Sequence, residues 1–168
     1  MLYAASQKLS CFLETLARYR PDLTLLAELN QIHGENDFFP LGCVPREWCD
    51  ERLVGSASVD GTYADIYAAE WIALLRHRLA GECLQLGWSD LDASGLQRHA
   101  PRRITQLGSL EVRRHSFDGI YYRSRYGPDS ENWAFEPFRI RRATSEAFGS
   151  KDRNFLEALR ILGLKLTD

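Results

Sequence analysis

A chain of 168 residues is long enough for one domain, and a core of that size buries roughly 70% of the unfolded surface without disulfide or metal staples. Hydrophobic residues make up 45% and charged residues 26%, an ordinary globular balance. The formal net charge of -2 excludes a general electrostatic attraction to nucleic acid or to a membrane surface.

The chain opens with the short apolar run Met1 to Ala5, which reads as a buried strand with Tyr3 at its centre. Domain ends normally carry polar slack, so this start suggests a longer chain that has lost its beginning. Ser6 is expected to cap a helix reaching about Tyr19, because Leu9, Phe12, Leu13, Leu16 and Ala17 recur on one helical stripe. Pro21 ends it. Asp22 to Gln31 carries a weaker helical pattern, broken at His33-Gly34. Residues 35 to 62 read as irregular, and the pattern allows a short helix near Arg46 to Arg52.

Thr62 to Leu79 is the longest helical pattern and is apolar nearly all round, so it is expected at the centre of the core. Arg76, His77 and Arg78 would fill its last turn, with Gly81 as the stop. Pro101 can start a further helix to about His115. Asp118-Gly119 is a turn signal before a strand over Ile120 to Tyr126. Gly127 to Ser130 is a second turn, Asn132 to Glu136 a return strand, and Phe138 to Ala143 allows a third. Ser150 is read as the cap of a last helix through Leu162, ended by Gly163, and residues 163 to 167 suit an edge strand. The expectation is one mixed α/β domain over residues 1–168, of α+β character, with small antiparallel sheet segments flanked by helices.

Cys11, Cys43, Cys49 and Cys83 form no CxxC pair and no zinc spacing with the scattered histidines, so no metal site is expected. They read as reduced, mostly buried thiols of a cytoplasmic protein. No stretch approaches the roughly 18 apolar residues of a membrane span. The N-terminus lacks the basic-then-apolar order of a signal peptide.

Residues 97 to 142 hold ten arginines against five acidic residues. A solvated surface with local ion pairs explains that surplus. An anionic ligand or an acidic partner explains it too, because the guanidinium fork suits phosphate and carboxylate. Direct nucleic-acid binding is disfavoured by the net charge and by the lack of a clear stacking platform.

Strand alternation puts Ile120, Tyr122, Ser124 and Tyr126 on one face, and Tyr121, Arg123 and Arg125 on the other. Ser124 is thus either a space-filling hydroxyl or the floor of a pocket. Glu14 falls off the apolar stripe of the first helix and reads as a solvated charge, four residues before Arg18. No phosphate-binding loop, dinucleotide fingerprint, serine elbow or HExxH motif is present.

Two segments taken together resemble the RES-domain family. Leu2-Tyr3-Ala4-Ala5 followed by Phe12-Leu13-Glu14-Thr15-Leu16-Ala17-Arg18-Tyr19-Arg20-Pro21 resembles the family's opening strand and glutamate-bearing helix. Asp118 to Tyr126, followed by Asn132-Trp133-Ala134-Phe135, resembles its later strand pair bearing one serine. Arg103-Ile104-Thr105-Gln106 resembles the segment that precedes it. By motif, Glu14 matches the family glutamate, Ser124 the serine, and Tyr3 a tyrosine of the first strand.

The resemblance implies a fold related to ADP-ribosyltransferases. It also implies a bacterial toxin that depletes NAD by cleaving the nicotinamide–ribose bond, through hydrolysis or phosphorolysis. NAD would be the substrate, with inorganic phosphate as a possible co-substrate and no resident cofactor. The partner would be an antitoxin with a helix-turn-helix-like domain, through which any contact with nucleic acid would be indirect. Glu14 would stabilise the oxocarbenium-like ribose. Ser124 would orient the ribose or amide, and Tyr3 would stack on a ring or bond a phosphate. Arg123 and Arg125, pointing away from Ser124, rank lower as cationic clamps. The family arginine lies upstream of the first strand, and no arginine here matches it. The resemblance therefore implies a domain short of its upstream part, from which turnover is not expected. A non-catalytic remnant acting as a protein-binding module is the alternative.

Overall fold

The computed structural model describes residues 1–32, 41–98, 100–127 and 129–167. Expectations at His33-Gly34 and over residues 35–40, and Pro128 of the second turn, lie outside them. The chain divides into two units. The first comprises Met1–Ser10 and Ala57–Ala143, the second Cys11–Ser56 and Thr144–Asp168.

The first unit is built on a four-stranded mixed sheet. Its strands are Leu2–Ala5 (β1), Tyr63–Asp65 (β4), Gly119–Arg123 (β5) and Glu131–Phe135 (β6), in the order β1-β6-β5-β4. β5 and β6 are an antiparallel hairpin, β1 adds antiparallel to β6, and β4 adds parallel to β5. Ala64, Ile120 and Ala134 line one face of this sheet and are buried with Trp71 and Val112. Those two come from the helices Ala69–Gln85 (α4) and Arg102–Arg114 (α6). α4 buries Trp71, Leu75, Leu79 and Cys83, one residue per turn. α6 answers with Ile104, Gly108, Glu111 and Val112, and Leu75 packs over Gly108. Leu75 and Ile104 are each buried almost completely, contributing about 1.5–3 kcal/mol apiece. The short helix Ala93–Arg98 (α5) joins this cluster through Leu96.

Three expectations for this unit need correction. β1 forms but is not buried. It is an edge strand, so its side chains lack a neighbour on one side, and Tyr3 is 72% exposed. The helix expected over Thr62 to Leu79 is two elements. Tyr63–Asp65 is drawn into the sheet, with Thr62 N–H donating to Asp118 Oδ2 at 2.8 Å and Asp118 N–H donating to Thr62 O at 2.8 Å. α4 then runs through Gly81 to Gln85, and Gly87 with φ of 71° follows as the stop. A mid-helix glycine costs only about 1 kcal/mol, and burial of Leu79 and Cys83 on either side outweighs it. The strand expected over Ile120 to Tyr126 stops at Arg123.

The second unit includes most of Lys8–Leu16 (α1) and, after a single 3-10 turn at Ala17–Tyr19, Leu23–Ile32 (α2). Ser6 does not cap α1. Its N–H donates to Glu131 O at 3.0 Å, prolonging the β1 ladder by one residue, and the helix starts two residues later at Lys8. Cys43–Pro45 (β2) and Glu47–Asp50 (α3) follow, the latter where a short helix was allowed. Arg153–Leu162 (α7) is capped by Asp152 rather than Ser150. The Asp152 carboxylate accepts from the N–H groups of Asn154 and Phe155 at 2.9 and 3.1 Å. Gly163, at φ of 68°, ends α7, and Lys165–Thr167 (β8) pairs parallel with β2. Rings make the core: Phe155 lies 5.6 Å from Phe12, 5.8 Å from Phe148 and stacks on Trp48 at 5.8 Å.

Leu53–Val59 (β3), a strand within the stretch read as irregular, pairs with Ile140–Ala147 (β7) as a separate two-stranded sheet. The third strand expected from Phe138 thus begins two residues later, after a 3-10 turn at Pro137–Arg139. Among the described residues no helix is long and apolar enough to cross a membrane.

Candidate functional site

The corner between β5 and β6 gathers four buried polar groups of the first unit: Ser10, Ser124, Ser130 and Asn132. Beyond the last strand pair, Arg123 opposite Glu131, the Ser124 N–H donates to Ser130 O at 2.8 Å and closes the loop. Inside it the Ser130 N–H donates to Gly127 O at 3.0 Å. Ser124 Oγ accepts the Tyr126 N–H at 3.0 Å, a local turn that serine hydroxyls readily form. From the start of α1, Ser10 Oγ donates to Ser130 Oγ at 2.8 Å. Ser124 is 3% exposed, Ser10 0%, Ser130 7% and Asn132 2%. Asn132 stands opposite Tyr122 on one side and Ala5 on the other, at a core-facing register position of β6. Such groups are stable inside a protein only when hydrogen-bonded, so the corner is held by polar pairing rather than by apolar packing.

Arg125 leaves the loop toward solvent. Its guanidinium lies 4.9 Å from the Tyr126 ring centroid and donates to Tyr126 Oη at 2.7 Å. Because β5 ends at Arg123, strand alternation does not set the direction of Arg125. Arg123 does sit on the opposite face, with Tyr121. Hydrogen bonding to the Tyr121 phenol, then attraction from Asp65 and Glu131, holds its guanidinium above the usual range. Tyr121 Oη in turn donates to Glu131 Oε1 at 3.0 Å. Arg123 therefore belongs to a cluster with acidic neighbours.

Tyr3 stands opposite Ala134, which stands opposite Ile120. Ser124 is four residues beyond Ile120, about 13 Å along the strand direction, so Tyr3 and Ser124 can share only an extended ligand. Glu14 is exposed on α1 and belongs to the second unit, beside the buried Leu13 and Leu16.

Of the remaining arginines, Arg103 pairs with Glu82, Arg113 with Glu136, Arg114 with Glu111, Arg139 with Asp118 and Arg141 with Asp60. Much of the basic surplus is thus spent on local ion pairs. Ser10, Ser130, Asn132 and Gln97 were not singled out by sequence reasoning. Only Asn132 left a trace, as an amide two residues from Ala134 on an otherwise apolar face. Among the described residues no group of three His, Cys, Asp or Glu side chains is placed to hold a metal ion.

No family model, curated protein or solved structure matches the chain.

Proposed function

We propose that the chain is an NAD-cleaving domain of the RES type, with Ser124 as its substrate-orienting hydroxyl. The observation that supports this most is the β5–β6 corner. A serine selected by motif is held there by hydrogen bonds at its N–H and its Oγ, the pre-organisation an orienting group requires. Tyr3, exposed on β1, offers a ring face to the far part of a dinucleotide. Arg125 is the better-placed cation for a pyrophosphate, since Arg123 already has acidic neighbours.

In the proposed reaction the bond between ribose C1′ and the nicotinamide nitrogen breaks, and its electron pair neutralises the pyridinium. An oxygen of water or of inorganic phosphate forms the new bond to C1′, and with water a proton is released. The motif resemblance gives Glu14 the role of the carboxylate that offsets the positive charge developing on the ribose. In the same reading the domain acts in the cytoplasm and is restrained by a protein partner bearing a helix-turn-helix-like domain.

The test is nicotinamide release from NAD, with and without phosphate, followed by chromatography, together with the melting temperature in the presence of NAD. Release is expected once an upstream segment supplies the arginine that nothing in this chain matches, and in that form Glu14→Gln is expected to lower it about 10²-fold or more, with the fold unchanged. No release from that extended form, and no rise in melting temperature with NAD, overturns the proposal.

A further inference from the structure

Resting on that reading, we infer that Gln97 is a positioning residue that latches the serine loop. Gln97 Nε2 donates to Ser124 O at 3.2 Å and reaches Arg123 O at 3.5 Å. These are the carbonyls at the point where β5 has ended and the loop begins. Both bonds go to backbone carbonyls, not to the Ser124 hydroxyl. Gln97 acts on the backbone that carries the hydroxyl.

The latch has a firm base. α5 is tied at its start by Asp92, whose carboxylate accepts the Gly95 N–H at 2.6 Å and whose carbonyl accepts the Leu96 N–H at 3.0 Å. Gly95 sits directly beneath Trp88, where an added Cβ would come within 2.8 Å of Cζ2. Leu96 packs into the α4–α6 cluster. One side of α5 is thereby anchored in the core, while Gln97, on the adjoining residue, holds the loop. Ser124 is fixed from three directions: N–H by Ser130, Oγ by Tyr126, carbonyl by Gln97. The last comes from outside the hairpin, and the Gln97 side chain is half-buried, so it can be altered without opening the core.

The test compares Gln97→Met, similar in length but without a donor, with Gln97→Glu, whose carboxylate faces two carbonyls and regains one O–H donor only when protonated. Gly95→Ala displaces α5 from Trp88 without changing Gln97. Amide hydrogen exchange at Ser124 and Tyr126 is read beside kcat and KM for NAD. In Gln97→Met both amides are expected to exchange about tenfold faster, and kcat to fall about tenfold with KM within twofold, the equivalent of one hydrogen bond. Gly95→Ala should reproduce this, and Gln97→Glu should regain kcat relative to wild type as the pH is lowered from about 8 to 5. Loop exchange and kcat unchanged in Gln97→Met overturn the inference, as does a Gln97→Glu defect with no pH dependence. If neither the chain nor its upstream-extended form releases nicotinamide, the proposed function fails, and amide exchange alone decides the latch.

Discussion

The two units are stabilised by different chemistry. In the second, the interior is rings and aliphatic side chains: Phe12, Trp48, Phe148 and Phe155 meet one another, with Leu16, Val44 and Leu162 buried alongside. In the first, the helices pack on the sheet in the ordinary apolar way, yet every buried polar side chain among the described residues belongs to it: Ser10, Glu111, Ser124, Ser130 and Asn132. Apolar burial is non-directional and tolerant of small shifts. Buried hydrogen bonds are directional, and costly when half-made. A chain gains little stability from such a corner over apolar packing, but it gains a fixed geometry. That contrast directs the search for function to the first unit.

The contrast can be broken from either side. The largest effect is expected from Phe155→Ala, which removes the ring that meets Phe12, Trp48 and Phe148 and leaves a cavity. Denaturant unfolding should show a loss of about 3–5 kcal/mol. Ser130→Ala tests the polar corner. It deprives the buried Ser10 hydroxyl of its acceptor and should cost about 1–3 kcal/mol, while the double variant Ser10→Ala/Ser130→Ala should recover part of that loss because neither partner is left unpaired. A double variant as unstable as the sum of the singles would show that this pairing is not what holds the corner. Asp152→Ala removes the α7 cap at the surface and should cost about 1 kcal/mol by the same measurement.

The smallest effect compares the interiors directly. Burial pushes the thiols of Cys49, in the second unit, and Cys83, in the first, above their ordinary value of 9.0, because the charged form is penalised there. A raised pKa in the folded state favours folding below the unfolded value, and that contribution is lost as the pH rises through the folded one. Stability should therefore be level in this respect up to about pH 8 and decline above 9, less so in Cys49→Ala/Cys83→Ala. At about pH 8 an alkylating reagent should label half-buried Cys43 before either of them, as read by mass spectrometry.

Elements whose signals are local could be read directly from the residues. Pro101 before α6, Gly163 after α7 and the Gly127–Ser130 turn between β5 and β6 all act within a few residues, through a fixed φ, a left-handed φ or a short hydrogen bond. Even the exchange of Ser150 for Asp152 as the α7 cap is a shift of two residues between side chains of similar capping power. Of the corner, Ser124 was legible through motif, while Ser130, Ser10 and Gln97 were not, because polar residues in turns and on helices are usually solvated and nothing local marks these three. Tertiary structure alone decided that Tyr63–Asp65 joins β5 instead of opening α4, that β3 and β7 find each other across about 80 residues, that β1 is an exposed edge, and that Ser10 and Ser130 meet. Periodicity and caps are properties of neighbouring residues. Strand partners and buried hydrogen bonds depend on which distant segments the folded backbone brings together.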